Sequence, residues 1–276
     1  MTDWELLSVR ADNFHCEIIA DYLWSIGVAA IEQIDHGDEI ELRTSVGAQA
    51  SEIAAVLTER FPTAHISQLL IDRGVSDTWR QHVQPVWVDE SLVILPSWLT
   101  VESEDPAINS PTVSQVLIDP EDVFGLGNHP TTVGALILAR RHCLPGSQLF
   151  DYGAGSGVLG IAMAKTHQCE VCAYDIAVSS AEVILSNAQR NGLSVKWFEI
   201  TEEQLEPKFD AVLANILAPV LIEISDNIAR LTRTGGFVIL SGMREEQWAS
   251  VETHYGNMQL IESITIDGWL SVALQS

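Results

Sequence analysis

The sequence predicts an α/β protein in which a small α+β domain is followed by a doubly wound parallel sheet. After residue 148, short apolar runs with strand character alternate with helical segments, as in a parallel sheet covered by helices. Before residue 74, the order strand, helix, strand, strand, helix, strand is typical of a ferredoxin-like α+β domain. The chain has 276 residues, of which 47% are hydrophobic, so it is long and apolar enough for two domains.

The chain divides into three parts. Residues 1–74 form the ferredoxin-like domain, residues 75–118 a linker and entrance segment rich in tryptophan and proline, and residues 119–276 the second domain. In the first domain the predicted strands are residues 4–9, 28–34, 39–44 and 64–72, and the predicted helices are residues 13–26 and 48–60.

Four apolar runs predict parallel strands of the second domain at residues 149–152, 169–175, 209–214 and 237–241. Helices are predicted at residues 158–165 and 180–190. Near the carboxyl terminus, Asp267 and Gly268 predict a two-residue turn between strands at residues 259–266 and 269–274. This hairpin predicts that an antiparallel strand finishes the otherwise parallel sheet.

The charge balance restricts the kind of partner. Thirty-eight acidic and 14 basic residues give a formal net charge of −24. Direct nucleic-acid binding is therefore not expected, because contacts with phosphates need a basic surface. A basic protein partner fits this charge, and the alternative is that the charge only keeps the protein in solution.

The amino terminus carries acids where a signal peptide would carry lysines, and no apolar stretch approaches the roughly 20 residues of a membrane span. We therefore expect a cytoplasmic protein that does not enter a membrane, and we take a monomer as the starting assumption. Cys169 and Cys172 have the spacing of a redox or zinc pair, but residues three apart on a strand face opposite sides. No metal site is expected.

A glycine-rich turn follows the first strand of the second domain, in the segment Asp151-Tyr-Gly-Ala-Gly-Ser-Gly157. Glycines at this place let the backbone come close to a ligand, and a tight turn without any ligand is the alternative. Asp175 ends the next strand, where a carboxylate can accept hydrogen bonds from both hydroxyls of a ribose. Together the two elements predict a cofactor that carries a nucleoside.

The spacing within the turn favours one class of cofactor. Only Ser156 separates Gly155 from Gly157, whereas the dinucleotide fingerprint has two residues at this point. Asp151 also disfavours a pyrophosphate. Both features suit a cationic cofactor without phosphate, such as S-adenosylmethionine, and a nicotinamide-dependent oxidoreductase remains the alternative enzyme.

Five segments occur in the order seen in one known family of enzymes. They are Phe124-Gly-Leu-Gly-Asn-His-Pro-Thr-Thr132, Asp151-Tyr-Gly-Ala-Gly-Ser-Gly157, Asp175, Asn187-Ala-Gln-Arg-Asn191 and Ala214-Asn-Ile-Leu-Ala218. Over essentially its whole length the chain resembles the methyltransferases of ribosomal large-subunit protein eleven, the PrmA family. The resemblance implies a Rossmann-like class I methyltransferase sheet, S-adenosylmethionine as cofactor, and a basic ribosomal large-subunit protein as substrate.

The resemblance also implies roles for particular residues. Asp175 would bind the ribose of the cofactor, and Thr132 and Asn215 would lie at its methionine end. Gly153 would be a further contact with the cofactor. Further candidate cofactor contacts are Phe124, Gly125, Asp151 and Gly155. The amino-terminal domain would hold the ribosomal protein, and the second domain would methylate lysine or amino-terminal amines.

The reaction needs a neutral amine, and desolvation in a closed pocket lowers the pKa of an amine. We therefore expect no dedicated base. Asn215 is the candidate catalytic residue, which would orient the amine by accepting a hydrogen bond. His129 is the one candidate base, although the neighbouring proline and glycines indicate a role in shaping the loop at least as strongly.

Two alternatives to this function stay open. The substrate could be a different basic protein. The chain could also bind the cofactor without turnover, because Leu126 and Asn128 stand where threonines are usual in the family, and Ala154 replaces a cysteine.

Overall fold

The structure is a computed structural model. It describes residues 4–26, 28, 31–37, 39–46, 50–71, 83–99, 106–120, 125–177, 179–198 and 209–276. The chain forms two compact units, Met1–Val83 and Gln84–Ser276, which are described separately.

The first unit has the ferredoxin-like order of elements that the sequence predicts. Its elements are β1 (Trp4–Asp12), α1 (Asn13–Ser25), β2 (Glu32–Asp35), β3 (Glu39–Ser45), α2 (Ala50–Arg60) and β4 (His65–Ile71). The sheet order is β2-β3-β1-β4, and the described neighbours pair antiparallel. The predicted second strand starts too early, because Val28 N–H still bonds to the Leu23 carbonyl at the end of α1.

Alternation along the strands gives this sheet two different faces. Leu7, Val9 and Leu42 join the apolar core that includes residues of both helices, such as Ile19 and Leu57. Because side chains alternate, the residues between them in the strands point to the opposite face, away from that core.

The second unit contains the parallel sheet. Its strands are β5 (Val86–Asp89), β6 (Leu92–Pro96), β7 (Ser114–Ile118), β8 (Gln148–Tyr152), β9 (Glu170–Tyr174), β10 (Lys196–Trp197), β11 (Phe209–Asn215), β12 (Thr232–Arg244), β13 (Gln259–Ile266) and β14 (Trp269–Gln275). Its helices are α3 (Pro130–His142), α4 (Val158–His167), α5 (Ser180–Arg190), α6 (Ala218–Glu223), α7 (Ser225–Leu231) and α8 (Trp248–Glu252), with short 3₁₀ turns at Glu245–Gln247 and Thr253–Tyr255.

Among the described residues, seven strands form the large sheet in the order β10-β9-β8-β11-β12-β14-β13. The first five are parallel, and β14 is antiparallel to both of its neighbours. The Rossmann-like class is therefore confirmed. The antiparallel strand does not finish the sheet, however, since β13 occupies the edge. The burial of the two strands explains this order, because most side chains of β14 are buried, whereas those of β13 are exposed or half-buried.

A second, smaller sheet lies in the stretch that the sequence assigned to the linker. Strands β5, β6 and β7 pair in that order, and all five residues of β6 are buried. Leu92 and Ile94 share an apolar core with Leu136 of α3 and Met163 of α4. The second unit therefore begins at residue 84, well before residue 119. The sequence predicted a linker here because tryptophans and prolines surround β6, and β6 itself is an apolar strand of only five residues.

Within the described part of the chain, no helix is both long and apolar enough to cross a membrane.

Close backbone packing at Gly242 gives a test of this fold. Its φ is +91°, and a Cβ atom there would lie 2.4–2.8 Å from the backbone oxygen, carbon and nitrogen of Ile216. We expect Gly242→Ala to lower the free energy of unfolding by about 3 kcal/mol or more, because left-handed strain and overpacking add. Denaturant unfolding measures this change.

Gly256→Ala is the matched control. Its φ is −61°, and the nearest atom to a new Cβ is 3.8 Å away. We expect that variant to change stability by less than about 1 kcal/mol. Equal stability of the two variants would contradict the packing of Gly242 against Ile216.

Candidate functional site

The strand order predicts a binding crevice at the carboxyl edge of the large sheet. The chain runs outward from β8 to β9 on one side, and β11 lies on the other side of β8. Ligands of open α/β sheets bind at such a reversal, beyond the carboxyl ends of the strands. Gly153, Asp175 and Asn215 all lie at the ends of these three strands.

The glycine loop is folded onto the end of β9. Backbone N–H groups of Gly153 and Ala154 donate to the Tyr174 carbonyl at 2.8 and 3.0 Å. The N–H of Gly155 donates to Asp175 Oδ2 at 2.8 Å. Gly153 has φ of +68°, and a Cβ there would lie 2.7 Å from Ile216 Cδ1, so glycine is needed here. The structure thus brings the predicted glycine loop and Asp175 together.

Asp175 keeps the capacity to bind a further ligand. Its Oδ1 accepts the N–H of Ala177 at 2.9 Å, and its side chain is half-buried. A carboxylate offers about four acceptor positions, of which these two bonds use half. Ribose hydroxyls fit the remaining positions.

Asp151 is placed differently. Its side chain is only 1% exposed, and its Oδ2 accepts the N–H of Gly160 in the first turn of α4 at 2.9 Å. Burial raises the pKa of Asp151 to about 7, and the nearby Asp175 charge adds to the rise. Asp151 therefore acts on the start of α4 and contributes a titratable charge beneath the glycine loop.

Thr132 and Asn215 meet although 83 positions separate them. Asn215 Nδ2 donates to Thr132 Oγ1 at 3.3 Å, and Thr132 is fully buried. The amide nitrogen of Asn215 is thereby engaged with protein. Its oxygen is the atom suited to accept a hydrogen bond from an amine.

Two buried serines, Ser241 and Ser271, connect the start of α3 with strands β12 and β14. Ser241 Oγ donates to the Thr131 carbonyl at 3.0 Å and lies 2.7 Å from Ser271 Oγ. Ser241 also pairs with Asn215 between β12 and β11. The start of α3 is thus tied to the strand that carries Asn215.

His129 caps the amino terminus of α3. Its Nδ1 accepts the Thr131 N–H at 3.3 Å and lies 2.8 Å from Thr131 Oγ1. The ring packs edge-on against Trp269, and the Arg244 guanidinium lies 4.1 Å from the centroid of the same indole ring. Burial lowers the pKa of His129, and the charge of Arg244 lowers it further. These contacts favour the loop-shaping role of His129 over that of a base.

Gly125 lies against the glycine loop. Its carbonyl accepts a hydrogen bond from Ser156 Oγ. A Cβ atom at Gly125 would lie 2.6 Å from Ser156 Oγ. Phe124 lies outside the described residues. Among those that are described, no cluster of three or more His, Cys, Asp or Glu could hold a metal ion.

Motif reasoning overlooked Ser156 and Ser241. Both are fully buried serines, and both join segments that are far apart in sequence. Ser156 lies between two glycines, so the spacing of the loop points to the glycines and not to the serine. Ser241 could have been found from the sequence, because it is a polar residue at the end of the apolar run of residues 237–241.

Comparison with known proteins identifies the family. A family model described as "Ribosomal protein L11 methyltransferase (PrmA)" matches residues 38–276. A protein named ribosomal protein L11 methyltransferase from Campylobacter concisus (strain 13826) is 29% identical, covering 96% of this chain and 95% of its own. One of the same name from Pseudomonas putida (strain F1) is 32% identical over 76% of this chain and 70% of its own.

A solved structure agrees with the sequence relatives. The ribosomal protein L11 methylase of Lactobacillus delbrueckii subsp. bulgaricus superimposes with a TM-score of 0.61 at 26% identity, covering 70% of this chain and 97% of that one. The resemblance inferred from the motifs is confirmed, and the chain belongs to the ribosomal protein L11 methyltransferase (PrmA) family.

Proposed function

We propose that this protein transfers methyl groups from S-adenosylmethionine to lysine or amino-terminal amines of ribosomal protein L11. One observation carries the proposal beyond family membership. The glycine loop with Asp175 and the Thr132–Asn215 pair lie at the ends of neighbouring strands around one crevice. The glycine loop with Asp175 suits the nucleoside of the cofactor, and the Thr132–Asn215 pair suits its reacting end.

The chemistry of these residues fits S-adenosylmethionine. The loop of residues 151–157 contains an aspartate and no lysine or arginine, so it suits a cation better than a pyrophosphate. Asp175 would accept from the ribose, with Gly153 and Gly155 setting the loop beneath it. Ile176, with 89% of its surface exposed, would contact the base. When bound, the cofactor supplies an electrophilic methyl group on a sulfonium.

The protein's contribution to the transfer is alignment of the acceptor amine. Asn215 would accept a hydrogen bond from the amine through Oδ1, because Thr132 engages its Nδ2. Removal of the amine from water lowers its pKa, so that it loses its proton more readily. The hydrogen bond to Asn215 orients the amine. Positioning of this kind carries much of the acceleration of a two-reactant step. No side-chain base is part of the proposal, and His129 shapes the loop.

The amino-terminal unit is the proposed holder of the ribosomal protein. On the sheet face away from its helices, Glu41 accepts hydrogen bonds from Ser8 Oγ at 2.7 Å and Arg43 Nε at 2.6 Å. The hydrogen bonds from Arg43 and Ser8, together with one from His36, lower the pKa of Glu41 to about 2. The face therefore carries an ionised pair among polar groups, in which Arg43 compensates the charge of Glu41. Attraction of a basic partner comes instead from the net charge of −24 of the whole chain. A cytoplasmic location, a monomer and no direct nucleic-acid binding complete the proposal.

Transfer of labelled methyl groups to purified ribosomal protein L11 tests the function. We expect incorporation that depends on both the enzyme and S-adenosylmethionine, because the candidate site is complete in the described residues apart from Phe124. A second basic ribosomal protein serves as the control substrate. Labelling of that protein alone would favour a different substrate, and cofactor binding without labelling of either would favour a scaffold. Binding of NAD but not of S-adenosylmethionine would refute the proposal.

Asp175→Ala is expected to weaken cofactor binding in calorimetry. Each charge-assisted hydrogen bond lost is worth about 1.5–3 kcal/mol, or roughly a tenfold to hundredfold rise in Kd. The variant also loses the acceptor for Gly155 N–H, so the glycine loop itself is loosened.

Asp210→Ala is the matched control for Asp175→Ala. Asp210 also accepts a backbone N–H across a strand pair, from Gln148 at 2.8 Å, but it lies at the amino end of β11. We expect its loss to change stability and to leave the cofactor Kd unchanged. Equal cofactor affinity of both variants and wild type would remove Asp175 from the site.

Cofactor affinity should depend on pH through Asp151, whose pKa is raised to about 7. A cationic ligand nearby favours the charged carboxylate and so lowers this pKa on binding. Binding then releases a proton below pH 7, so affinity should rise with pH by up to about tenfold per unit and level off above pH 7. Calorimetry between pH 5.5 and about 8.5 measures this slope.

Asp151→Asn is the control for this pH dependence, since its amide oxygen can still accept the Gly160 N–H. The slope should be absent in that variant. The same slope in variant and wild type would assign the pH dependence to another group.

A further inference from the structure

Two asparagines of the motif at residues 187–191 bind the free edge of β7. Asn187 Oδ1 accepts the N–H of Asp119 at 2.9 Å, and Asn187 Nδ2 donates to the Asp119 carbonyl at 2.8 Å. Asn191 makes the same pair of bonds with the N–H and carbonyl of Leu117, at 2.9 and 2.7 Å. Each side-chain amide thus replaces one peptide group of a missing partner strand.

The spacing explains why the two amides fit. Four residues of helix rise about 6.0 Å, and two residues of strand advance about 6.6 Å. Asn187 and Asn191 are therefore spaced like Leu117 and Asp119, whose N–H and carbonyl groups face the same side of the strand. Unpaired strand edges are otherwise exposed to water or to other chains.

Asn187 makes a further contact that Asn191 lacks. Its Nδ2 also donates to the carbonyl of Ser156, inside the glycine loop, at 3.0 Å. With Arg190 Nη1 donating to Oδ1 at 2.8 Å, all four hydrogen-bonding positions of the fully buried Asn187 amide are used. Ser156 in turn donates through Oγ to the Gly125 carbonyl.

Asn191 also uses all four positions, but none of them reaches the glycine loop. Besides Leu117, its Nδ2 donates to the Asn187 carbonyl at 2.8 Å, and its Oδ1 accepts from Lys165 Nζ at 3.3 Å. The two residues thus make the same number of hydrogen bonds, and only Asn187 contacts the glycine loop.

We propose that Asn187 is a positioning residue of the cofactor site, which sets the glycine loop by holding the Ser156 carbonyl against Asp119. The inference rests on the proposed function, in which that loop holds S-adenosylmethionine. Asn187 does not touch the cofactor in this proposal. It acts through Ser156, whose neighbours Gly155 and Gly157 complete the loop.

Asn187→Asp and Asn191→Asp test the proposal in the full-length protein. Each replacement keeps the shape and the accepting oxygen, removes two donated hydrogen bonds and leaves the new carboxylate beside a cation, Arg190 or Lys165. Because Asn187 is fully buried and Asn191 only half-buried, the free energy of unfolding of both variants is measured as well. In Asn187→Asp a carboxylate faces the carbonyls of Ser156 and Asp119, and the Kd for S-adenosylmethionine should rise at least about tenfold. In Asn191→Asp it should rise less than about threefold.

Steady-state kinetics and hydrogen exchange separate positioning from general destabilisation. In Asn187→Asp the KM for S-adenosylmethionine should rise while kcat at saturation is nearly retained, since the Thr132–Asn215 pair is not touched. Exchange of the Gly155 N–H should accelerate in Asn187→Asp, whereas in Asn191→Asp only the Leu117 N–H should exchange faster. If Asn187→Asp does not fold, Asn187→Ser, which keeps a hydroxyl donor, undergoes the same measurements.

The outcomes distinguish this inference from the proposed function. An unchanged Kd and unchanged Gly155 exchange in the Asn187 variant, or equal changes in the Asn191 variant, would overturn the positioning role. If Asp175→Ala loses affinity while Asn187→Asp does not, only the positioning role fails. If wild type does not bind S-adenosylmethionine, the proposed function fails first.

Discussion

A hydrogen bond of 2.8 Å between Asp175 Oδ2 and the Gly155 N–H joins the turns that follow β8 and β9, and the candidate site is arranged around it. The Tyr174 carbonyl adds two more bonds, to the N–H groups of Gly153 and Ala154. Backbone donors left unpaired in a partly buried turn would cost about 1–3 kcal/mol each. The loop conformation is therefore set by the end of the neighbouring strand as well as by its glycines.

The opposite wall of the crevice is held by hydroxyl and amide groups. Asn215 reaches Thr132, and Ser241 behind them reaches the Thr131 carbonyl. These groups are neutral, whereas the glycine-loop side carries the carboxylate of Asp175 and, above the pH at which it ionises, that of the buried Asp151. The crevice thus combines a negative side, suited to a cationic cofactor, with a neutral side on which an amine can lose its proton without an opposing carboxylate.

The small sheet of β5, β6 and β7 is connected to the glycine loop of the candidate site. Apolar residues of this sheet, such as Leu92 and Ile94, join the core that includes α3 and α4, and the edge of β7 is completed by side-chain amides instead of a strand. Because Asn187 bonds to both Asp119 and Ser156, the end of β7 and the glycine loop share one fully satisfied buried amide. Shared polar groups of this kind couple the segments that they join.

Local signals in the sequence were sufficient for the elements and for part of the site. The helix Ser180–Arg190 and the strand Gln259–Ile266 have the bounds that periodicity predicts. The glycine turn and Asp175 were identifiable because strand ends, turns and charged residues leave short-range patterns. The motifs also identified the family, since they keep their order along the chain.

Tertiary structure decided the contacts that local patterns do not show. Strand β14 lies inside the sheet because its side chains are buried between two neighbours, which a hairpin pattern does not show. The bond from Asn215 to Thr132 spans 83 positions, and that from Asn187 to Asp119 spans 68. Hydrogen bonds between such distant residues produce no periodicity or composition signal, because each depends on the packing of whole elements that brings the two side chains within about 3 Å.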